Sequence, residues 1–290
     1  MKQLLLCVLL SFAVAGGCSS SVPGERRSGE NSSVEAENLA MAQQGLIRET
    51  ANVSRTGDEF ESGRPGEHAL KIMMLGDSIT ADTCYPQLLQ KRMQSHRLGQ
   101  HRFVGSAWNG LTAADCDTAV KPMKTEGHEG YLITFLTSND NADFELGTLA
   151  DLQQWVRAKP DMVLLHMGTN DSWNWGIPVS NILSAYSFVM EQFRRERPDT
   201  IFFISRIIKM HPEGCDICSS NVDDLAAALT ESWAHAHSTR YSPVRIIDHY
   251  ASQFDPLNPL YSEDGVHPTA LGARIMADVT FDALARSPYF

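Results

Sequence analysis

Long hydrophobic runs are missing from the interior of this chain. Past Ala15 no apolar stretch approaches the roughly 20 residues that a membrane-spanning helix needs, which excludes a helical span within the body of the protein. Positive charge is also scarce. Lys and Arg number 24 against 35 Asp and Glu, for a net charge of −11. A surface of that sign does not draw in nucleic acid or anionic lipid through net charge. No internal repeat is visible, so a solenoid is not expected. What remains is a chain of 290 residues with 43% hydrophobic content, enough for one large domain and a tail.

The first residues, MKQLLLCVLLSFAVAGGCSS, have one basic residue, an apolar stretch from Leu4 to Ala15, then small residues. This is the pattern of a secretory signal peptide, too short in its apolar part to be a span. Ala15-Gly16-Gly17-Cys18 resembles the bacterial lipobox, with Ala15 where leucine is usual. That resemblance implies export to the bacterial cell envelope with lipid on Cys18, anchoring the chain without crossing the bilayer; ordinary cleavage and secretion is the alternative. Residues 19–67, rich in Ser, Gly, Glu and Arg, read as a flexible tether with a weak helix over Glu35–Ile47. The folded domain is expected over 68–290.

From His68 onward apolar runs alternate with helical patterns. Strands are expected at Leu70–Leu75, Arg102–Gly105, Met162–Met167, Ile201–Ile207 and Val244–Asp248. Helices are expected at Asp82–Met93, Leu149–Arg157, Asn181–Arg195, Val222–His235 and Ala270–Arg286. Buried strands alternating with helices imply an α/β fold, a three-layer α/β/α sandwich around a five-stranded parallel sheet. In such sheets a site lies beyond the carboxyl ends of the strands.

Four blocks occupy those places. Gly76-Asp77-Ser78 closes the first apolar run, where a serine hydroxyl meets the amides of a helix N-terminus. As ordinary turn chemistry the same tripeptide has no function. Glu126-Gly127-His128-Glu129-Gly130-Tyr131 brings glycine backbone close to any ligand, or is a plain loop. Gly168-Thr169-Asn170-Asp171 follows a strand, so that Asn170 can donate to a developing oxyanion or merely cap a turn. Asp264-Gly265-Val266-His267-Pro268 precedes the last helix and lets the carboxylate hold the tautomer of a histidine base. A lone histidine there is ordinarily structural. The four blocks in one order make coincidence improbable.

This ordered set resembles the SGNH, or GDSL, hydrolase superfamily over His68 to the C-terminus. Phe103-Val104-Gly105-Ser106, together with the Glu126–Tyr131 segment, is similar to carbohydrate esterase family 3, mainly acetylxylan esterases; Glu129 replaces a small residue of that pattern. The resemblance implies a flavodoxin-like SGNH hydrolase fold and a serine esterase that removes short acyl groups, acetyl first, from a carbohydrate. It assigns Ser78 as nucleophile, His267 as base and Asp264 as its orienting acid. The oxyanion hole would be the Ser78 and Gly130 amides with the Asn170 side chain, Gly127 being the runner-up for Gly130. No metal or organic cofactor is needed by this chemistry. Lipid or thioester substrates, and a non-catalytic carbohydrate-binding module, are the alternatives.

Trp173 and Trp175 would share a face of an extended loop and, with Trp108, could stack on a sugar; packing within the loops is the other reading. Of six cysteines, Cys7 lies in the leader and Cys18 in the lipobox. Cys84, Cys116, Cys215 and Cys218 allow three pairings, of which 84–116 and 215–218 are favoured. The alternatives for Cys215-x-x-Cys218 are a zinc site with His211 or redox exchange.

Overall fold

The computed structural model describes residues 69–96, 100–140, 144–173 and 175–290. The leader, Cys18, the tether and its helix at Glu35–Ile47 lie outside the described residues.

The sheet is built from β1 (Lys71–Gly76), β2 (Arg102–Val104), β3 (Ala107–Asn109), β4 (Met123–Gly127), β5 (Met162–His166), β6 (Ile201–Arg206) and β7 (Val244–Asp248). Their order is β3-β4-β1-β5-β6-β7, with β2 also pairing β1. β1 lies parallel to β2, β4 and β5, and β5–β6 and β6–β7 are parallel as well. β3 runs antiparallel to β4. Among the described residues the expected five strands are therefore seven, and the sheet is mostly rather than wholly parallel. β2 pairs the start of β1, Lys71 to Met73, and β4 pairs its end, Leu75 and Gly76. Two short strands thus share one edge of β1, and the second delivers Glu126 and Gly127, expected in a loop, to its carboxyl end.

Helices cover both faces because the strand side chains alternate. Met73, Leu75, Val163, Leu165, Phe202 and Ile204 pack in one cluster, and Ile72, Met74, Met162, Leu164 and Phe203 in the other. The first cluster takes α3 (Leu149–Trp155), α4 (Val179–Glu196), α5 (Asp216–Ala228) and α6 (Glu231–His237). The second takes α1 (Ser78–Asp82), α2 (Tyr85–Ser95) and α7 (Ala270–Ala285). This is the α/β/α sandwich.

Two helices differ from expectation for local reasons. The helix expected from Asp82 is split: α1 begins at Ser78 and ends at Thr83 in extended conformation, and α2 restarts with Pro86 in its first turn, where the missing N–H costs nothing. The helix expected over Val222–His235 is two, because Thr230 caps a new one by accepting from Trp233 N at 3.1 Å.

Candidate active site

β1 is buried from Ile72 to Gly76 and ends at the sheet's carboxyl edge. Asp77 follows in extended conformation and caps α1, its Oδ1 accepting from Ile79 N at 3.1 Å. Its backbone carbonyl accepts from Thr80 N and Ala81 N, each at 3.0 Å. Ser78 is therefore the first residue of the helix, and its amide is one of those no helix satisfies internally. Asp77 is fully buried, and burial pushes its carboxyl up to about 6, against the lowering effects of Thr169, Ile79 N and His267.

Ser78 Oγ lies 2.9 Å from His267 Nε2, and His267 Nδ1 lies 2.6 Å from Asp264 Oδ2. A carboxylate only accepts, so Nδ1 carries the proton and Nε2 faces the serine hydroxyl as acceptor. The other oxygen, Asp264 Oδ1, takes the backbone amides of His267 at 2.7 Å and Val266 at 2.9 Å. Partial burial would raise the Asp264 pKa. The hydrogen bonds from the His267 ring and these two amides outweigh that and hold it below the usual carboxylate value. The Asp-x-x-His turn is fixed from both sides. His211 N donates to Gly265 O at 2.7 Å, and Thr269 N-caps α7 through Gly272 N at 3.3 Å. The His267 side chain is 43% exposed, so a ligand reaches it from solvent.

The middle two blocks meet each other across the edge of the site. Asn170 Nδ2 donates to Tyr131 O at 3.0 Å, which leaves its second N–H free of that bond. Asp171 is buried and accepts from Ile133 N at 2.9 Å, Thr134 N at 3.0 Å and Thr134 Oγ1 at 2.7 Å. It thus clamps the segment that follows Gly130. Gly130 has φ +72, and its amide makes no hydrogen bond among the described residues. Gly127 has another task. A Cβ there would sit 2.5 Å from Ala81 N, so its bareness lets β4 pack on the backbone of α1, and its amide faces Thr125 Oγ1 at 3.4 Å. Of the two glycines expected as candidates, Gly130 has the free amide.

A cleft of about 520 Å³ opens beside His267, lined by Asp82, Asp115, Asp117, Glu263 and Asp264 together with Leu111 and the start of α7. Burial, then the neighbouring Glu129, push the Asp82 carboxyl up to about 6. Glu129, the residue that departs from the family pattern, is therefore an electrostatic neighbour of an acid at the cleft.

The tryptophans separate. Residues 169–172 form a turn, with Trp173 N on Asn170 O at 3.2 Å and Trp175 N on Trp173 O at 2.7 Å, rather than the extended loop expected. Trp173 packs against the core while Trp175 is 61% exposed. Trp108, on β3, is exposed under Lys124. None of the three lines the cleft beside His267. Disulfides join Cys84 to Cys116 and Cys215 to Cys218; the first ties the N-terminus of α2 to the segment carrying Asp115 and Asp117.

Sequence reasoning missed Asp77 as a buried cap, Asp171 as the clamp, and Glu126. The last is buried and accepts from Ser106 N at 2.8 Å, while its Oε1 lies 2.8 Å from His128 Nε2. The signal available was an acid next to, or within, each block.

Among solved structures, the chain is similar to an acetyl esterase mutant crystallised with acetate ion, at 27% identity and TM-score 0.60, covering 75% of this chain and 97% of that one. It is similar at 26% identity and TM-score 0.59 to a carbohydrate esterase family 3 protein from Talaromyces cellulolyticus, covering 75% and 97%. A family 3 carbohydrate esterase from Clostridium thermocellum, at 19% identity and TM-score 0.55 over 75% and 96%, shares the fold. No match is found among curated proteins. The model of the GDSL-like lipase/acylhydrolase family matches residues 74–275, a span that holds all four blocks. The chain belongs to that family and is a carboxylic ester hydrolase.

Proposed function

We propose that the protein is a serine esterase that removes acetyl or similarly short acyl groups from a carbohydrate through an acyl-enzyme. The observation that carries this reading is the chain of contacts from Ser78 Oγ through His267 to Asp264, 2.9 Å and 2.6 Å long. His267 Nε2 takes the hydroxyl proton as Ser78 Oγ bonds to the ester carbonyl carbon. Asp264 holds the Nδ1–H tautomer and offsets the imidazolium charge. The oxyanion accepts from the Ser78 and Gly130 amides and the second N–H of Asn170. As the tetrahedral adduct collapses, Nε2–H protonates the departing sugar hydroxyl. Water then attacks the acyl-serine with His267 again as base, and acetic acid leaves.

Two features support a sugar over a lipid. Five of the twelve residues that line the cleft are carboxylates, and Leu111 is its one large aliphatic side chain; two solved structures above 25% identity are an acetyl esterase and a carbohydrate esterase. The test is acetate release from a panel of acetylated glycans, with long-chain acyl esters for comparison. Faster turnover of long-chain esters than of acetyl esters would overturn the short-acyl assignment.

A further inference from the structure

One to two helical turns along from the residues that line the acidic cleft, the same three segments line a second groove of about 290 Å³ with the opposite charge. Cys84 gives way to Leu88 and Lys91 along α2, Asp117 to Thr118 in the loop, and Ala270 to Arg274 along α7. At 1.5 Å per helical residue the basic groups sit about 6 to 10 Å further along. Arg92 is paired with Asp278 at 3.2 Å and neutralised. Lys91 donates only to the Thr118 hydroxyl, and Arg274 makes no hydrogen bond or ion pair among the described residues. Two uncompensated cations therefore converge from two helices, with the hydroxyls of Thr118 and Ser95 beside them. In a chain of net charge −11, cations left without carboxylate partners inside a concavity are matched to an anion from outside.

We propose that this groove is an anion subsite that holds a carboxylate or sulfate substituent of the same polysaccharide whose acyl group is presented to Ser78. This rests on the carbohydrate esterase reading. The cleft at His267 repels anions, so an acidic sugar can be accommodated only beyond it, and the basic groove is where the walls lead. The neutral acylated sugar lies at the carboxylate-rich end, its acidic neighbour between Lys91 and Arg274. The alternation of charge would fix the direction in which the polymer lies. A groove walled by α2, α7 and the loop at Thr118 suits a chain-like ligand rather than a flat lipid surface.

The test is calorimetric binding of an unacetylated, uronate-bearing oligosaccharide to the full chain and to Lys91→Gln/Arg274→Gln, with the carboxyl-reduced and a sulfated oligosaccharide as further arms. At roughly threefold per solvent-exposed ion pair, affinity for the uronate ligand is expected to fall about tenfold in the double variant. The reduced ligand is expected to bind weakly to both, and 0.5 M salt to erase the difference. Comparable binding of the sulfated arm marks a general oxyanion site, and its absence a carboxylate-selective one; either result supports the subsite. On acetylated polymer, KM is expected to rise by the same factor only where carboxylates are present, with kcat on aryl acetate unchanged. Equal binding of the reduced oligosaccharide, or undiminished uronate binding by the double variant, overturns the proposal. So does tighter binding of phosphatidylglycerol vesicles that the same substitutions abolish. If neither polymer releases acetate, the esterase reading fails while calorimetry still decides the groove.

Discussion

Asp77→Asn is expected to stabilise the protein, and to do so more at alkaline than at acid pH. Asp77 is fully buried, and burial raises its pKa from 3.8 to about 6. A carboxyl whose folded pKa lies above its unfolded value favours the folded state below pH 3.8 relative to higher pH. That advantage is lost as pH rises through the folded pKa, so the full cost of the buried charge is present above about pH 6. Linkage sets this cost at about 3 kcal/mol at pH 8 and about half that at pH 5. Asparagine keeps the acceptor for Ile79 N, and it is as good an N-cap as aspartate. Any penalty from placing its amide N–H in the apolar surroundings is the same at both pH values and cancels in the difference. The stabilisation by Asp77→Asn is therefore expected to grow by roughly 1 to 2 kcal/mol between pH 5 and pH 8, a few °C in melting temperature for a domain of this size. Urea titrations of both proteins at the two pH values measure it. A stability difference that is flat with pH, or larger at pH 5, would refute the assignment of a strained buried charge beside the serine.

Three further outcomes are expected. Asp264→Asn keeps its oxygen on the Val266 and His267 amides and turns an N–H toward His267 Nδ1, so the wrong tautomer is favoured and kcat is expected to fall by about 10² to 10⁴ with little change in KM; steady-state kinetics on an aryl acetate check it. Asp171→Ala removes three hydrogen bonds to Ile133 and Thr134. It is expected to cost about 3 kcal/mol or more of stability and to impair kcat as the Gly130 segment loosens, read by denaturation and kinetics together. Reducing Cys84–Cys116, which closes a loop with a sequence separation of 32, is expected to cost about 3 to 4 kcal/mol, measured by denaturation of Cys84→Ser/Cys116→Ser.

The residues that meet at the centre were the most legible in sequence. Asp264 and His267 are three apart on one turn, so their pairing is a local property, and Ser78 sits where a buried run must end. The partners of the other groups were not legible because they lie far along the chain. Asp171 finds its donors 37 and 38 residues upstream, and nothing in Gly-Thr-Asn-Asp names Ile133 or Thr134. β4 escaped notice because Met-Lys-Thr-Glu-Gly has one apolar residue. Its burial is made tolerable by Ser106 and His128 meeting the Glu126 carboxylate, and hydrophobic periodicity does not report a strand of that kind. β3, three residues long with Trp108 exposed, is likewise too short to leave a period. That Gly127 packs against α1, while the Gly130 amide makes no hydrogen bond among the described residues, is a matter of three-dimensional packing that the sequence does not report.

Acetate release from acetylated glycan by the wild-type chain and by Ser78→Ala, each checked for an unchanged melting temperature, tests the central claim most directly. Release by the wild type and a loss of at least about a thousandfold in the variant are expected. Undiminished release by Ser78→Ala would contradict that claim.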